Sequence, residues 1–147
     1  MKIALGSDHA GFALKEHLKQ ILVRPGTEVE DMGTDSSESV DYPDYARKVA
    51  EAVRDGKAER GVVVCATGIG VCIAANKVQG IRAAAPWSPE TALLSRAHND
   101  SNVLCLSGRY MEPALAEELL EIWLRTPFDG GRHQRRIDKI NALEECG

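Results

Sequence analysis

The chain has 147 residues, of which 44% are hydrophobic and 27% charged, and its formal net charge is −4. This length and composition fit one globular domain, and the negative charge gives no general attraction to nucleic acid or to anionic membranes. No apolar run has the length of a membrane span or a signal-peptide core, and the four cysteines lack CxxC or His-paired spacing. We therefore expect a cytoplasmic protein with no nucleic-acid or membrane partner, no disulfide framework and no structural zinc.

Short apolar runs alternate with stretches of helical periodicity from the start of the chain. Lys2–Gly6 predicts a strand, and the apolar residues over 14–22 recur on one face of a helix. A weak strand around Val29 and a second helical stripe over 46–53 follow. Gly61–Ala66 contains three consecutive valines, which is typical of a strand covered on both faces.

The alternation continues in the second half of the chain. A helix over Val71–Lys77 leads to a strand candidate at Ile81–Ala85. The next helix is predicted to begin at Pro89, with Ser88 as its N-cap, and Asn102–Ser107 predicts the last strand.

A helical stripe over 115–123 and a Gly130-Gly131 break precede a basic C-terminal helix. Strands that alternate with helices predict a parallel sheet with helices on both faces. The sequence therefore predicts an α/β fold: a single three-layer α/β/α Rossmann-like domain over residues 1–147, with a five-stranded parallel sheet.

Polar and glycine-rich segments follow three of the predicted strands. They are Ser7-Asp8-His9, Cys65–Gly70 and Ser107-Gly108-Arg109. Because ligands bind outside the carboxyl ends of the strands in open parallel sheets, this convergence predicts a binding site.

The segment Cys65-Ala66-Thr67-Gly68-Ile69-Gly70 runs from a strand into a helix. Successive backbone N–H groups in such a turn form an anion-binding concavity, which would also stabilise a thiolate at Cys65. The spacing excludes a Cys-x5-Arg phosphatase loop, a Walker loop and a dinucleotide fingerprint. The alternative is that Cys65 is a small buried residue that closes an apolar strand.

Other polar positions also have two interpretations. Asp8 and His9 could contact a ligand, or Asp8 could cap the next helix while His9 lies in a solvated turn. The triplet His98–Asp100 could equally be a helix C-terminal cap. Arg132 and Arg136 share one helix face and suit a phosphate dianion, although basic residues on a terminal helix are commonly solvated surface.

Taken together, stretches spread over the whole chain resemble ribose-5-phosphate isomerases of type B, a family that includes galactose-6-phosphate isomerase subunits. These stretches occur in the same order as in that family. The matching stretches are Gly6–Phe12, Asp41–Asp44, Cys65–Gly70, Ile73–Lys77, Gly80–Ala83, His98–Asp100 and Gly130–His133 with Arg136.

The resemblance implies a role for each matched residue. Cys65 would be the base that moves a proton between C1 and C2, while Thr67 and the backbone of Ala66–Gly70 would hold the enediolate oxygen. His98, helped by Asp8, would open the furanose ring. The other matched residues would bind substrate: His9, Arg109, Arg132 and Arg136 the phosphate, and Tyr42 and Asn99 the sugar hydroxyls.

The implied activity is aldose–ketose isomerisation of ribose 5-phosphate and ribulose 5-phosphate through a cis-enediolate, in the pentose phosphate pathway, without a metal or other cofactor. His98 and Asn99 precede their strand and should emerge at the sheet edge opposite Cys65. We therefore expect a homodimer or a dimer of dimers with shared active sites, in which segment 130–147 packs on the partner subunit. An isomerase of a hexose 6-phosphate, of the allose or galactose type, and a non-catalytic sugar-phosphate-binding module remain alternatives.

Two positions distinguish this chain within the family. The residue after the catalytic Cys is usually Gly, so Ala66 would add strain of order 1 kcal/mol if that position requires a positive φ. Some relatives carry a Glu base at the position of Val71 instead of the Cys. Val71 cannot ionise, which leaves Cys65 as the implied base.

Overall fold

The computed structural model describes residues 1–146 of the chain. A five-stranded sheet has the strand order β2-β1-β3-β5-β4, and all of its neighbouring strands are parallel. The strands are β1 (Lys2–Ser7), β2 (Glu28–Asp31), β3 (Arg60–Cys65), β4 (Ala83–Ala84) and β5 (Val103–Ser107). The helices are α1 (Phe12–Leu22), α2 (Tyr42–Arg54), α3 (Ile69–Ala75), α4 (Pro89–Ala97), α5 (Pro113–Arg125) and α6 (Arg132–Leu143).

Successive side chains of β3 point to opposite faces of the sheet, and helices cover both faces, which gives the three predicted layers. Val62 and Val64 face the helices α1, α4 and α5, whereas Val63 and Cys65 face α2 and α3. These β3 side chains are buried on both sides of the sheet, and removing a Val side chain from water stabilises a fold by about 1.5–3 kcal/mol. The predicted α/β/α architecture and the five-stranded parallel sheet are confirmed.

The segment predicted as a strand over Ile81–Ala85 is only two residues long, Ala83–Ala84. Side-chain amides bind the backbone N–H and C=O groups of this segment that a further neighbouring strand would otherwise bind. Asn76 accepts from the Ala83 N–H at 2.8 Å and donates to its carbonyl at 3.0 Å, and Asn102 accepts from the Arg82 N–H at 2.8 Å. Such side-chain bonds are not visible in hydrophobic periodicity.

Other predicted boundaries agree to within a few residues. The weak strand around Val29 is β2, at the edge beside β1. Ser88 caps α4 in a capping box with Thr91, with Pro89 as the first helical residue. Helix α3 begins at Ile69, before the predicted start.

The parallel register defines two opposite edges of the sheet. Cys65 pairs with Ser107 at the carboxyl ends of β3 and β5, while Gly61 pairs with Val103 at their beginnings. Of the helices in residues 1–146, none has the length and apolar character needed to span a bilayer.

Candidate active site

The carboxyl ends of β1, β3 and β5 are tied together by hydrogen bonds. The Asp8 N–H donates to the Val64 carbonyl at 3.2 Å, which joins the segment after β1 to β3. The Ala66 carbonyl accepts from the Arg109 N–H at 3.1 Å and from the Ser107 hydroxyl at 2.6 Å. The three polar strand ends found in the sequence therefore lie at one edge of the sheet.

The loop over residues 65–70 closes on the sulfur of Cys65, which is 4% exposed. The Gly68 N–H donates to Cys65 Sγ at 3.2 Å, and the Ile69 N–H donates to the Thr67 hydroxyl at 3.1 Å. Cys65 is thus both a buried strand end, as the structural interpretation held, and an acceptor within a loop of N–H donors.

The left-handed residue of this loop is Gly68, with φ +78°, and not Ala66. Among residues 1–146, the one non-glycine residue with a positive φ is Asp100. The strain considered for Ala66 therefore does not arise, because its backbone takes a conformation open to any L-residue. At Gly68 an added Cβ would also lie 3.0 Å from the Leu106 carbonyl carbon.

Tyr42, the first residue of α2, lies against the backbone of the same loop. A Cβ atom at Gly70 would lie 2.5 Å from Cε1 of Tyr42, closer than van der Waals contact. Only glycine at position 70 allows the ring to pack this closely. Tyr42 therefore borders the loop, and its contact with the sugar hydroxyls stays a prediction.

His9 and Asp8 hold backbone groups beside the loop. His9 Nδ1 accepts from the Val40 N–H at 3.1 Å, so the neutral ring carries its proton on Nε2. Asp8 Oδ1 accepts from the Gly11 N–H at 3.0 Å in the turn that leads into α1. This contact is close to the capping role considered for Asp8, whereas His9 is not merely a solvated turn residue.

The remaining sequence-derived site residues lie elsewhere in the chain. His98 ends α4, and its N–H donates to the Leu94 carbonyl at 2.9 Å, as the capping interpretation predicted. It precedes β5, so the length of a strand, roughly 13 Å from Gly61 to Cys65, separates this edge from the loop. Arg132 and Arg136 are exposed on α6.

His98 has a partner that the sequence analysis missed. Its ring stacks on the His133 ring, with centroids 4.1 Å apart and an interplanar angle of 12°. Partial burial, followed by the charges of His98, Arg132 and Arg136, lowers the pKa of His133, against an opposing effect of Asp129. The sequence shows His133 only as one residue of a basic cluster, because the stack is a tertiary contact.

The carboxylate of Asp129 adjoins the two rings. Potential ligand atoms of His98, Asp129 and His133 all lie within 4.8 Å of one another. Imidazole and carboxylate are donor types that zinc accepts. The charges of Arg132 and Arg136 oppose a cation at this position, and we assign no ion to it.

Two of the free cysteines, Cys72 and Cys105, lie within hydrogen-bonding distance of each other. A hydrogen bond with Cys105 lowers the pKa of Cys72 to about 7, although burial opposes the shift. Burial raises the pKa of Cys105, whose side chain lies in the core. The thiol with the lowered pKa is therefore Cys72, on α3 and not within the loop.

Two clefts lie near these groups. One, of about 390 Å³, borders Thr67 and the exposed rings of Trp87 and Tyr110. The other, of about 490 Å³, lies between β4 and α6 and is lined by Asn99 and Leu143. Asn99 thus belongs to the His98 side of the molecule.

Comparison with known proteins matches both the sequence and the fold. The family described as Ribose/Galactose Isomerase matches residues 3–140. The chain is 49% identical to ribose-5-phosphate isomerase B of Escherichia coli over 144 residues, which cover 98% of this chain and 97% of that protein.

Two solved structures extend the match. Ribose-5-phosphate isomerase B of Clostridium thermocellum has 50% identity and a TM-score of 0.97, over 99% of this chain and 98% of that one. The Mycoplasma genitalium enzyme with bound ribulose-5-phosphate has 43% identity and a TM-score of 0.89, over 98% and 96% of the two chains. The chain belongs to the ribose/galactose isomerase family.

Proposed function

We propose that this protein interconverts ribose 5-phosphate and ribulose 5-phosphate through a cis-enediolate, with Cys65 as the base. The observation that carries the proposal is the hydrogen bond from the Gly68 N–H to Cys65 Sγ, in the loop that joins β3 to α3. The names of close relatives support the substrate, and so does the ribulose-5-phosphate bound in the Mycoplasma genitalium structure.

The chemistry requires a base and a group that stabilises negative charge. Removing the proton next to the carbonyl leaves an enediolate, and each well-placed N–H donor stabilises such an oxyanion by about 3 kcal/mol. Cys65 takes the proton from C2 of the aldose and returns it to C1, while the hydroxyl proton of O2 passes to O1, so that no net atom is gained or lost. Thr67 and the loop backbone hold the oxygen during the transfer.

Ring opening is a separate acid–base step. Ribose 5-phosphate in water is largely a closed ring, and an imidazole titrates in the range suited to opening it. We assign this step to His98, helped by Asp8. The two residues lie on opposite edges of the sheet in one chain, so the assignment requires a second chain.

We infer that the active unit is a homodimer, or a dimer of dimers, with shared sites. A two-fold partner would bring His98, Asn99, Arg132 and Arg136 to the loop of the other chain, with segment 130–147 at the interface. The exposure of both arginines supports this arrangement, because neither is paired across the body of its own chain in the described contacts. His9 and Arg109 would complete the phosphate site from the loop side.

The principal test is a Cys65→Ala variant assayed in deuterated water. We expect isomerisation and proton exchange at C2 to fall together by about 1,000-fold or more, while substrate still binds. Near-normal exchange in this variant would show that Cys65 is not the base.

A test with a thiol reagent needs a control at Cys72, because the lowered pKa of this residue makes it a second target. Iodoacetamide should inactivate Cys72→Ala as it inactivates the unmodified enzyme, and substrate should protect both. Exhaustive chelation should leave turnover unchanged, since the proposed steps use no metal.

Assays across pentose and hexose phosphates decide the substrate. Ribose 5-phosphate should give the highest kcat/KM. A higher value for allose or galactose 6-phosphate would assign the hexose alternative, and binding without turnover of any sugar phosphate would assign a binding module.

A further inference from the structure

The His98–His133 stack joins two elements that the proposed reaction uses for different tasks. His98 ends α4, and His133 is the second residue of α6, between the arginines proposed to hold the phosphate. Their rings are nearly parallel, at 12°, with centroids 4.1 Å apart. His133 itself has no part in the reaction proposed above.

The His133 ring is held by a fixed turn. Gly130 and Gly131 take positive φ values of 68° and 56°, and the His133 N–H donates to the Gly130 carbonyl at 3.1 Å. The Asp129 N–H donates to the Ala97 carbonyl at 2.9 Å, which ties this turn to the end of α4. Further along α6, Ile137 is 3% exposed and anchors the helix on the body.

A stacked neighbour restricts what the His98 ring can do. A half-exposed imidazole at a helix end can rotate about both of its side-chain torsions. A parallel ring in van der Waals contact blocks rotations that would carry the imidazole out of the stacked plane. The lowered pKa of His133 disfavours a positive charge on that ring, which reduces electrostatic repulsion within the stack.

We propose that His133 is a positioning residue for His98, and that it fixes the imidazole in the orientation needed for ring opening. This rests on the proposed role of His98. Because His133 lies in the same helical turn as Arg132, the element that would bind the phosphate also orients the ring-opening group. A small displacement of a catalytic group is enough to reduce turnover by about 100-fold.

The test compares a cyclic and a linear substrate in His133→Ala and His133→Phe. We expect His133→Ala to lower kcat for ribose 5-phosphate by about 10-fold, with KM little changed. Turnover of a four-carbon aldose phosphate, which cannot close a furanose, should stay within about twofold, and this phosphorylated substrate also reports on the phosphate site. His133→Phe should restore most of the lost turnover, because a flat apolar ring can stack without titrating.

Controls separate this proposal from the proposed function. His98→Asn should show the same selective loss, and more strongly; equal losses on both substrates would refute the ring-opening role itself. If His98→Asn is selective but His133→Ala is not, the positioning role is wrong. His17→Ala, a surface change at an ion pair with Glu117, should leave both activities unaltered.

Two further results address the stack directly. The ring protons of His98 should lose a ring-current shift in His133→Ala and regain one in His133→Phe, with unchanged melting temperatures. A selective loss that His133→Phe does not restore would show that His133 acts through its nitrogen atoms, which would overturn the positioning role.

Discussion

The loop after β3 and the cluster around His98 are built in different ways. The loop is held by hydrogen bonds of the backbone, from Gly68 to the Cys65 sulfur and from Arg109 to the Ala66 carbonyl. The cluster is held by a ring stack between His98 and His133 and by one turn tied to the end of α4.

This difference predicts that the two regions tolerate substitutions to different degrees. Backbone hydrogen bonds fix the position of the loop, so added atoms there should be costly. A side-chain stack adapts to a ring of similar shape, so the cluster should tolerate conservative changes. The four predictions below test this contrast, in order of decreasing effect.

The largest effect tests whether the loop of one chain and the His98 cluster of a second chain form one active site. Equimolar Cys65→Ala and Arg136→Ala chains, each inactive, should regain activity after unfolding and refolding together. In a heterodimer one site carries both lesions and the other carries neither. Random pairing gives half heterodimers, so about a quarter of all sites should work.

The matched control mixes two lesions of the loop, Cys65→Ala and Gly68→Ala, and should show no gain over its parents. Exchange of chains is verified by native mass spectrometry. A first mixture that stays inactive although its chains have exchanged would place the phosphate site within a single chain.

The second effect compares two glycines of the loop. Gly68→Ala should lower kcat by about 100-fold, because a positive φ and a Cβ near the Leu106 backbone would displace an N–H donor. In Gly70→Ala the atoms nearest to the new Cβ belong to the Tyr42 ring, which can swing away, so this change should cost less than about 10-fold. Equal losses would show that the donor geometry at Gly68 is not the sensitive feature.

The third effect concerns His9. Because its Nδ1 accepts from the Val40 N–H, its Nε2–H is the group proposed to bind the phosphate. His9→Ala should raise KM by about 10-fold, because it removes an Nε2–H donor to the phosphate, and should leave kcat nearly unchanged. Steady-state kinetics with ribose 5-phosphate measure both constants. A fall in kcat alone would move His9 from binding to the chemical step.

The smallest effect is expected at Ala66. Since this residue has no positive φ, Ala66→Gly should change kcat/KM by less than about twofold. A large gain in kcat would show that the methyl group hinders the loop despite its relaxed backbone.

Sequence reasoning located the loop because it depends on short-range pattern and on a general rule of parallel sheets. Three valines predicted β3, and the glycines after Cys65 predicted the turn that follows. The same reasoning predicted that His98 emerges at the opposite edge, since it precedes β5. Topology alone was sufficient for these placements.

The rest depends on contacts between distant parts of the chain. His133 was missed as a neighbour of His98 because no periodicity joins the end of α4 to the start of α6. Asn76 was missed as the partner of β4 because a side-chain amide leaves no hydrophobic signal.

The short strand β4 also bears on how copies of the protein can associate. Asn76 pairs with both backbone groups of Ala83, so this side of the sheet offers little to an incoming strand. The other outer strand, β2, carries exposed Glu28 and Glu30, which repel a second copy of themselves. Sheet extension, the usual route to fibrous aggregates, is therefore disfavoured at both ends, and assembly is directed to the helical faces.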